Sequence, residues 1–460
     1  MAANPKFQAP KGTRDFFPAD LALRRHVESA WRRASVSHGF DEIEGPTFEH
    51  LELYTAKSGP GIASELFSFR RAGGENDYAL RPEFTPTLAR MVAARAGSLP
   101  PPIKWFGIPV HYRAERPQRG RLREFVQWNV DLLGLAGEEA DAEVIAVAVE
   151  ALRNLGLGPA DIRVRISHRG LAAALVSGLG VPAESAGAAM ELLDRRAKLQ
   201  AGEFERQAAA LGLSAGAVAG LEALAGVAAP FGGASERGPS LDAHLAAVRK
   251  AVPAVTDAHE APIRALASRL AAMDLAEWCD LDLGIVRGLA YYTGTVFEIH
   301  ESGGTERAVA GGGRYDGLVE LFGGPSMPAV GFGMGDVVLT LVLQERGLLP
   351  ADAATLLPRP DAFLIPGGPE GAAALPGLAA RLRRAGLHVR YSYRSTQNVG
   401  KLLGDAGKAR ARFAVILGAE MAQGAAALKD LDAGTQRLVP LDGLQAALVG
   451  AGAGRGAEVP

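Results

Sequence analysis

Residues 103–134 read IKWFGIPVHYRAERPQRGRLREFVQWNVDLLG. Two mainly apolar runs flank the polar segment 116–120, which contains Pro and Gly, and this pattern predicts two strands joined by a hairpin loop. Further strand patterns occur at 163–167, 280–300 and 307–315. The strands follow one another as neighbours with helices around them, not in strict β–α–β alternation, which favours a largely antiparallel sheet in an α+β domain.

The hairpin is dense in positive charge, with five arginines among residues 113–123. Strand periodicity places Arg113 and Glu115 on one face of the first strand. Arg121 and Phe125 share a face of the second strand in the same way, and a hairpin brings the two faces together. Guanidinium groups around an aromatic ring suit a purine triphosphate, because they bind phosphate while the ring lies under the base. An exposed hairpin tip is the alternative interpretation.

Two polar residues interrupt the apolar second strand. Gln127 and Asp131 lie four residues apart and therefore share a face with each other and with Phe125. They indicate a binding site, although each could be a core polar residue with satisfied hydrogen bonds. The segment 331–336, GFGMGD, lacks the last glycine of a dinucleotide loop, and no P-loop motif occurs. The nine histidines show no metal-binding spacing, so we predict no metal site built from protein side chains.

The composition is that of a globular protein: 460 residues, 48% hydrophobic and 22% charged. It excludes a disordered chain and a small disulfide-stapled one. The single cysteine, Cys279, cannot form an internal disulfide or a thiolate metal cage, which predicts a reducing, cytoplasmic location. No run of about 18 apolar residues is present, so we expect no membrane partner.

Charge is distributed unevenly along the chain. The net charge is −2, yet residues 361–460 hold 12 Lys and Arg against 8 Asp and Glu, a net of +4. Six basic residues and one acid fall within the basic stretch, residues 390–412. This pattern predicts a local polyanion site, with a solvated helix face as the alternative. A Pro-containing segment at 347–360 precedes this region, whose β/α alternation predicts a separate small domain.

Seven segments, in this order and spacing, resemble histidyl-tRNA synthetase. They are KGTRDFFP (11–18), GFDEIEGPTFE (39–49), RPEFTPTLAR (81–90), FGIPVHYRAERPQRGRLREFVQWNVD (106–131), VRGLAYYTGTVFEI (286–299), AGGGRYDGL (310–318) and AVGFGMG (329–335). The tail resembles the anticodon-binding domain of that family, notably FAVILGAE (413–420) and LKDLDAGTQ (428–436).

The resemblance implies a class II synthetase catalytic core, an antiparallel sheet flanked by helices, over residues 1–342. We expect a helical insertion within it at about 180–258, where the sequence is rich in Ala and Leu. A linker at 343–360 would lead to a small α/β anticodon-binding domain at 361–460. The implied reaction joins L-histidine to ATP, accompanied by Mg²⁺, as an adenylate and then transfers the acyl group to histidine tRNA.

The resemblance also assigns roles to individual residues. It implies that Arg113 and Arg287 act at the substrate carboxylate and the α-phosphate. The implied histidine-binding residues are Glu83, Phe84, Thr85, Arg113, Gln127, Asp131, Arg287, Tyr291 and Tyr292. The implied ATP-binding residues are Arg113, Glu115, Arg121 and Phe125. For tRNA, the candidates are Arg116, Gln118 and Arg119 at the acceptor end and Arg390, Arg394 and Lys401 at the anticodon.

The chain departs from the family pattern at two positions. Val338 stands where the third motif usually has an arginine, and Ala290 replaces a common aspartate. The expected ATP contact at position 338 is therefore missing, and the sequence offers Arg121 and Arg314 as substitutes.

Family membership further implies a homodimer formed through the segment around Pro46. Three other functions compete with a histidine enzyme. A catalytically silent relative, the regulatory subunit of ATP phosphoribosyltransferase, normally lacks the anticodon domain. A class II synthetase for another amino acid would not carry the RGL-x-YY segment. A generic RNA-binding protein would explain the basic stretch but not the acidic and tyrosine residues.

Overall fold

The structure is a computed structural model. It describes the chain except residues 1–6, 59–61, 63–64, 197–198, 201, 226, 286–291, 304–306, 397 and 451–460. The chain divides into two compact units, residues 1–355 and 356–460.

The first unit contains thirteen strands among its described residues. In chain order they are β1 (Asp41–Glu42), β2 (Phe48–His50), β3 (Ser68–Arg70), β4 (Asp77–Leu80), β5 (Ile103–Gly107), β6 (Val110–Tyr112), β7 (Glu124–Leu133), β8 (Ile162–His168), β9 (Ala228–Pro230), β10 (Cys279–Asp282), β11 (Thr295–Glu301), β12 (Ala310–Arg314) and β13 (Ala329–Gly335). Ten of them form the main sheet, in the order β1-β5-β7-β13-β12-β11-β8-β10-β9 with β6 beside β7.

The first unit also contains α-helices among its described residues. They are α1 (Pro18–Ser37), α2 (Leu51–Ser58), α3 (Thr85–Arg95), α4 (Glu138–Asn154), α5 (Arg169–Gly178), α6 (Ala186–Arg195), α7 (Glu203–Ala210), α8 (Ala215–Ala225), α9 (Leu241–Ala251), α10 (Asp257–Ala272), α11 (Leu318–Leu321) and α12 (Asp336–Glu345).

The main sheet is mixed but mostly antiparallel. Among the described strands of this sheet, only the pairs β1–β5 and β8–β10 run parallel. The central run β5-β7-β13-β12-β11-β8 is antiparallel throughout. The antiparallel preference expected from the sequence is thus confirmed at the centre of the sheet.

The predicted hairpin forms, with one difference from the sequence pattern. The first strand, expected to be continuous over 103–115, is split into β5 and β6 around Pro109. Proline has no N–H to donate to a ladder, so it interrupts the strand. The carbonyl of Pro109 still accepts a hydrogen bond from the N–H of Gln127 at 3.2 Å, which keeps the two halves beside β7.

One face of the main sheet packs on α1 and α4 to form the principal hydrophobic core. Trp31 of α1 stacks on Trp128 of β7 with 5.8 Å between ring centroids. The indole N–H of Trp128 donates to Oγ of Ser35 at 3.0 Å, so this buried donor is satisfied. Val126 and Val130 point into the same core. The other face of β7 is left to carry the polar residues Gln127 and Asp131.

The range 180–258, expected to be a helical insertion, contains helices α6 to α9 and one strand among its described residues. That strand, β9, pairs antiparallel with β10 at the edge of the main sheet. The run Ala228–Pro230 is too short to show a strand periodicity, which is why the sequence pattern missed it. Cys279, the first residue of β10, is fully buried.

Among its described residues, the second unit contains a five-stranded sheet and three α-helices. Its elements are β14 (Ala362–Pro366), α13 (Pro369–Arg384), β15 (Val389–Tyr391), α14 (Val399–Lys408), β16 (Phe413–Leu417), β17 (Ala425–Asp430), β18 (Gln436–Pro440) and α15 (Leu444–Gly450). The strand order is β15-β14-β16-β17-β18. The first three strands are parallel and the last two antiparallel, so the predicted β/α alternation ends in a hairpin. Over the described residues of the chain, none of the helices has the length and apolarity needed to cross a membrane.

Candidate active site

The polar face of β7 lies against glycines of the neighbouring strand. Asp131 is opposite Gly331 of β13, and Gln127 is opposite Gly335. A β-carbon at Gly331 would lie 2.0 Å from Oδ1 of Asp131, and one at Gly333 would lie 2.5 Å from Nε2 of Gln127. Real β-carbons do not approach other atoms this closely, so these positions need glycine if both polar side chains are to lie across the strand.

The same arrangement continues onto β12. A β-carbon at Gly313 would lie 3.0 Å from the ring of Tyr292 and 2.7 Å from the carbonyl oxygen of Thr295. Gly313, Gly331 and Gly333 therefore form a surface, the glycine floor, on which Gln127, Asp131 and Tyr292 rest. The glycine runs at 311–313 and 331–335 are thus parts of two adjacent strands.

Tyr315 completes this pocket, and sequence reasoning did not identify it. Its hydroxyl donates a hydrogen bond to Oδ1 of Asp131 at 2.5 Å, and its ring is buried with Tyr292 and Leu133 in a hydrophobic cluster. Tyr315 is part of the segment GGGRYDG (311–317), but nothing in its local sequence pairs it with Asp131. Tyr315 holds the carboxylate of Asp131 in a fixed orientation over the glycine floor.

Phe125 lies beside the predicted arginine. The guanidinium of Arg113 lies 4.9 Å from the centroid of the Phe125 ring, and the ring of His111 stacks on Phe125 at 5.5 Å. His111 is completely buried, and burial together with the charges of Arg81 and Arg113 lowers its pKa well below the usual range. A neutral imidazole there adds no positive charge, so the positive charge next to Phe125 belongs to Arg113.

The segment 81–85 is fixed against the hairpin. Arg81 is buried and donates to the carbonyl oxygens of Gly45, Pro46 and Val110, each at 2.9 Å. The N–H of Tyr112 donates to the carbonyl of Arg81 at 2.9 Å, and Nε of Arg113 donates to the carbonyl of Pro82 at 3.2 Å.

These contacts bring three predicted histidine-binding residues next to Arg113. Glu83 and Phe84 immediately precede α3, which begins at Thr85. The ring of Phe84 is fully buried in the hydrophobic cluster. A contact between Phe84 and a substrate would therefore be made by its backbone.

The remaining hairpin residues bind the chain's N-terminal segment and one another. Arg121 forms an ion pair with Glu115, and Nε of Arg123 donates to the carbonyl of Glu115 at 3.2 Å. The N–H of Arg123 donates to the carbonyl of Gly12 at 2.8 Å. Gly12 has φ +92° and a β-carbon there would lie 2.6 Å from Cγ of Pro117, so this close approach requires glycine.

The hairpin tip is exposed. Arg116, Gln118 and Arg119, the acceptor-end candidates, all lie on the surface. Gln118 and Arg121 exchange two backbone hydrogen bonds of 2.9 and 3.0 Å, which close the turn. Arg119 pairs with Glu345 at 2.6 Å, so in this conformation its charge is partly offset.

Position 338 cannot supply a cation to this site. Val338 is 7% exposed and packs in the principal core. Arg314, one of the two possible substitutes, is also excluded: it is buried and bonded to Asp141 at 2.9 Å and to the carbonyl of Gly137 at 3.0 Å. Burial raises the pKa of Asp141 to about 6, against the opposing effect of Arg314. Since Arg314 follows Gly313 on β12, it points to the face opposite the glycine floor.

The anticodon candidates lie on the surface of the second unit. Arg390, Arg394 and Lys401 are exposed. Arg390 contacts His388 at 3.2 Å, and Arg394 lies 3.4 Å from Asp405. Tyr393 between the two arginines is 87% exposed and contacts Tyr391 at 4.9 Å between ring centroids. An exposed aromatic ring among arginines is a surface on which a base can stack.

Two predicted residues, Arg287 and Tyr291, lie outside the described residues, as does Ala290. Among the residues that are described, no group of three His, Cys, Asp or Glu could hold a metal ion.

Comparison with known proteins identifies relatives along nearly the whole chain. Residues 12–336 match the family model for histidyl-tRNA synthetase, and residues 361–450 match the anticodon-binding domain. The histidine–tRNA ligase of Opitutus terrae is 40% identical over 452 residues, covering 96% of this chain and 97% of the relative. That of Halobacterium salinarum is 38% identical over 438 residues, covering 94% and 95%.

Solved structures also resemble this chain over most of its length. The crystal structure of a histidyl-tRNA synthetase from Nostoc sp. superposes with a TM-score of 0.77 at 25% identity, covering 97% of this chain and 99% of that one. A Bacillus halodurans structure described as an ATP phosphoribosyltransferase regulatory subunit/histidyl-tRNA synthetase has a TM-score of 0.69 at 24% identity, covering 88% and 97%. This second likeness concerns the fold alone.

Proposed function

The chain belongs to the histidyl-tRNA synthetase family and is a histidine–tRNA ligase, and we propose that it activates histidine in the pocket above the glycine floor. ATP is a substrate throughout this family of enzymes. The observation that carries the proposal is the placement of Asp131, fixed by Tyr315, on the same strand face as Gln127 and next to the Arg113–Phe125 pair.

The pocket suits an imidazole. A carboxylate held by Tyr315 can accept a hydrogen bond from one ring nitrogen, and Tyr292 lies on the same floor to bond the other. A site built to hydrogen-bond a polar substrate rejects analogues that lack its donors by about 10⁴-fold or more, because buried polar groups are then left unpaired. We assign Gln127, with Glu83 and Thr85, to the α-ammonium group.

The first chemical step needs little from the protein beyond position and charge. The histidine carboxylate is already ionised at neutral pH, so no general base is needed for its attack on the α-phosphorus, and pyrophosphate leaves. Arg113 stabilises the negative charge on the transferring phosphate, since it lies between the segment that would hold the amino acid and the ring of Phe125. Phe125 provides the surface for adenine.

Magnesium enters this proposal as the counterion of ATP. The described residues hold no cluster for it, so the phosphates themselves would carry most of its ligands, as is usual for an ion that keeps its waters. No step is assigned to a protein-bound metal.

The exposed basic face of the second unit supports a proposal for tRNA. Arg390, Arg394 and Lys401 would bind anticodon-stem phosphates, and Tyr393 adds a stacking surface. At the other end of the tRNA, Arg116, Gln118 and Arg119 form the exposed hairpin tip.

We also propose a homodimer. Strands β2, β4 and β3 form a separate small sheet, which follows directly on Pro46. On it, Phe48 and Phe69 are 48% and 43% exposed and pack around Tyr78 at 5.6 and 5.8 Å. An exposed aromatic cluster of this kind marks a contact surface. Sedimentation of the wild-type chain and of Phe48→Asp tests this; a dimer unaffected by the charge places the interface elsewhere.

A cytoplasmic location fits the single buried thiol.

Histidine-dependent exchange of label between pyrophosphate and ATP tests the assigned chemistry. We expect exchange with histidine and none with the other amino acids. Tight histidine binding without exchange would instead indicate a silent, regulatory relative.

A further inference from the structure

The polyphosphate of ATP needs more positive charge than the hairpin supplies. ATP is a polyanion, and Arg121 is already paired with Glu115. That pair adds little net charge, because one carboxylate offsets one guanidinium. Val338 is buried in the core and Arg314 is bonded on the opposite face, so a further side-chain cation for the β- and γ-phosphates, beside the Mg²⁺ that accompanies ATP, would come from elsewhere in the fold.

Sheet register brings Arg307 to the required place. In β12, Ala310 is opposite Met334 of β13, and the N–H of Gly335 donates to the carbonyl of Val309 at 3.3 Å. Gly335 is in turn opposite Gln127 of β7. The chain just before β12 therefore runs past the end of β13, two strands away from β7. Neighbouring strands lie about 4.8 Å apart, so two steps span roughly 10 Å, and the long side chain of Arg307 can cover much of that distance towards the Phe125 end of β7.

The side chain of Arg307 is exposed. Among the described residues, no hydrogen-bond or salt-bridge partner of Arg307 is found, in contrast to Arg121 and Arg314. Its guanidinium is thus available to an incoming ligand.

The charges of the hairpin arginines and Arg307 act on one another. Three effects lower the pKa of Arg121. Burial is the largest, the positive charge of Arg307 is the second and that of Arg113 is the third. The three guanidiniums thus lie within range of direct repulsion. Holding like charges together costs free energy unless an anion binds between them, and a polyphosphate relieves that repulsion.

We propose that Arg307 is a phosphate-binding residue that contacts the β- and γ-phosphates of ATP and hence the pyrophosphate leaving group. Its place beyond Gly335, at the Phe125 end of β7, puts it at the opposite end of the site from Asp131 and Gly331. It therefore belongs with the leaving group and not with the histidine pocket. The inference rests on the proposed ATP site at Arg113 and Phe125.

Calorimetric binding tests this without requiring turnover. The variants are Arg307→Ala, Arg307→Lys and, as a matched control, Arg33→Ala, an exposed arginine of α1. We expect Arg307→Ala to weaken ATP and pyrophosphate binding by about 10- to 100-fold, the usual effect of one charge-assisted hydrogen bond. AMP and histidine binding should change less than about twofold, the lysine variant should keep part of the affinity, and Arg33→Ala should match wild type.

Two outcomes would overturn the inference. Unchanged ATP and pyrophosphate affinity would remove Arg307 from the site. An equal loss for AMP would place it on the adenosine or α-phosphate instead. Because wild-type exchange activity is measured separately, failure of the proposed reaction is distinguishable from failure of this assignment.

Discussion

Arg14 donates a hydrogen bond of 2.6 Å from Nη2 to Oδ2 of Asp336. The other oxygen of that buried carboxylate accepts from the N–H of Val126 at 2.9 Å, so one side chain joins the N-terminal segment, the start of α12 and β7. Burial raises the pKa of Asp336, and Arg14 opposes this effect. The hydrogen bond from Val126 to Asp336 fixes β7 between Phe125 and Gln127. Asp336 is the first residue of α12, and Val338 is the third.

We predict that Arg14 and Asp336 are energetically coupled. Arg14→Ala leaves a buried carboxylate without its cation, and Asp336→Asn removes the charge but keeps an acceptor for Val126. Each should lower the free energy of unfolding by about 1–3 kcal/mol. All four tryptophans lie before residue 279, so fluorescence during urea unfolding reports on the first unit. Strict additivity in the double variant would show that the contact contributes nothing.

Gly331→Ala should disable histidine binding selectively. Its β-carbon would be placed 2.0 Å from Oδ1 of Asp131, so the carboxylate has to move. We expect the KM for histidine to rise about tenfold or more, while the KM for ATP changes little. Gly317→Ala is the matched control, because a β-carbon there meets nothing within 4 Å. Equal effects of both substitutions would refute the proposed role of the glycine floor.

Tyr315→Phe should weaken histidine binding and leave the chemistry intact. The substitution keeps the buried ring and removes only the hydroxyl that donates to Asp131. A hydrogen bond to a charged group contributes about 1.5–3 kcal/mol, so the KM for histidine should rise roughly 10- to 100-fold. The kcat of pyrophosphate exchange should stay within about twofold, since Tyr315 acts through Asp131 and does not touch phosphate. A fall in kcat with unchanged KM would contradict this positioning role.

Arg390→Ala and Arg394→Ala should weaken tRNA binding through loss of phosphate contacts. Each is expected to reduce the slope of log K against log salt by about 1. The exchange reaction in the absence of tRNA should be unaffected. Arg437→Ala, an exposed arginine of β18, is the control within the same unit; a loss of the same size there would reveal only a general effect of charge.

Glu143 should stabilise the fold at neutral pH and cease to do so in acid. His38, with Lys104 of β5, lowers the pKa of Glu143 to about 2 despite partial burial. A depressed carboxyl pKa gives stability that is present above the unfolded value of about 4.5 and is lost as the pH falls towards 2. Glu143→Gln should therefore cost on the order of 2 kcal/mol at pH 7, allowing for exposure, and almost nothing near pH 2.

Urea unfolding of the first unit at both pH values measures this effect. Glu150→Gln, on the same helix, controls for removal of a carboxylate from α4. A constant difference between Glu143→Gln and wild type across the pH range would contradict the assignment.

Strand and helix patterns were sufficient to predict the hairpin, the sheet type and the β/α character of the second unit. They succeeded because β7 alternates apolar and polar residues from Val126 to Leu132. The break at Pro109 and the strand β9 were missed, since a short apolar run gives no periodicity. The resemblance supplied most candidate residues, and the structure brings Gln127, Asp131 and Tyr292 together.

The remaining parts of the site depend on contacts between distant segments. Asp131 and Tyr315 are separated by 184 positions, and no local pattern states that their side chains meet. Arg307 belongs to no motif, and only the register of β12, β13 and β7 places it towards the Phe125 end of the site. Arg314 was a reasonable substitute by charge, but alternation along β12 sends it to the other face of the sheet.

The burial of Cys279 has a practical consequence for measuring motion in this enzyme. Its thiol is fully enclosed in β10, and burial raises its pKa well above the usual range, so maleimide reagents will not modify it in the folded chain. A cysteine introduced at an exposed position such as Arg33 or Arg437 would be the sole reactive thiol. Fluorophores or spin labels can thus be attached at chosen points without first removing a native residue.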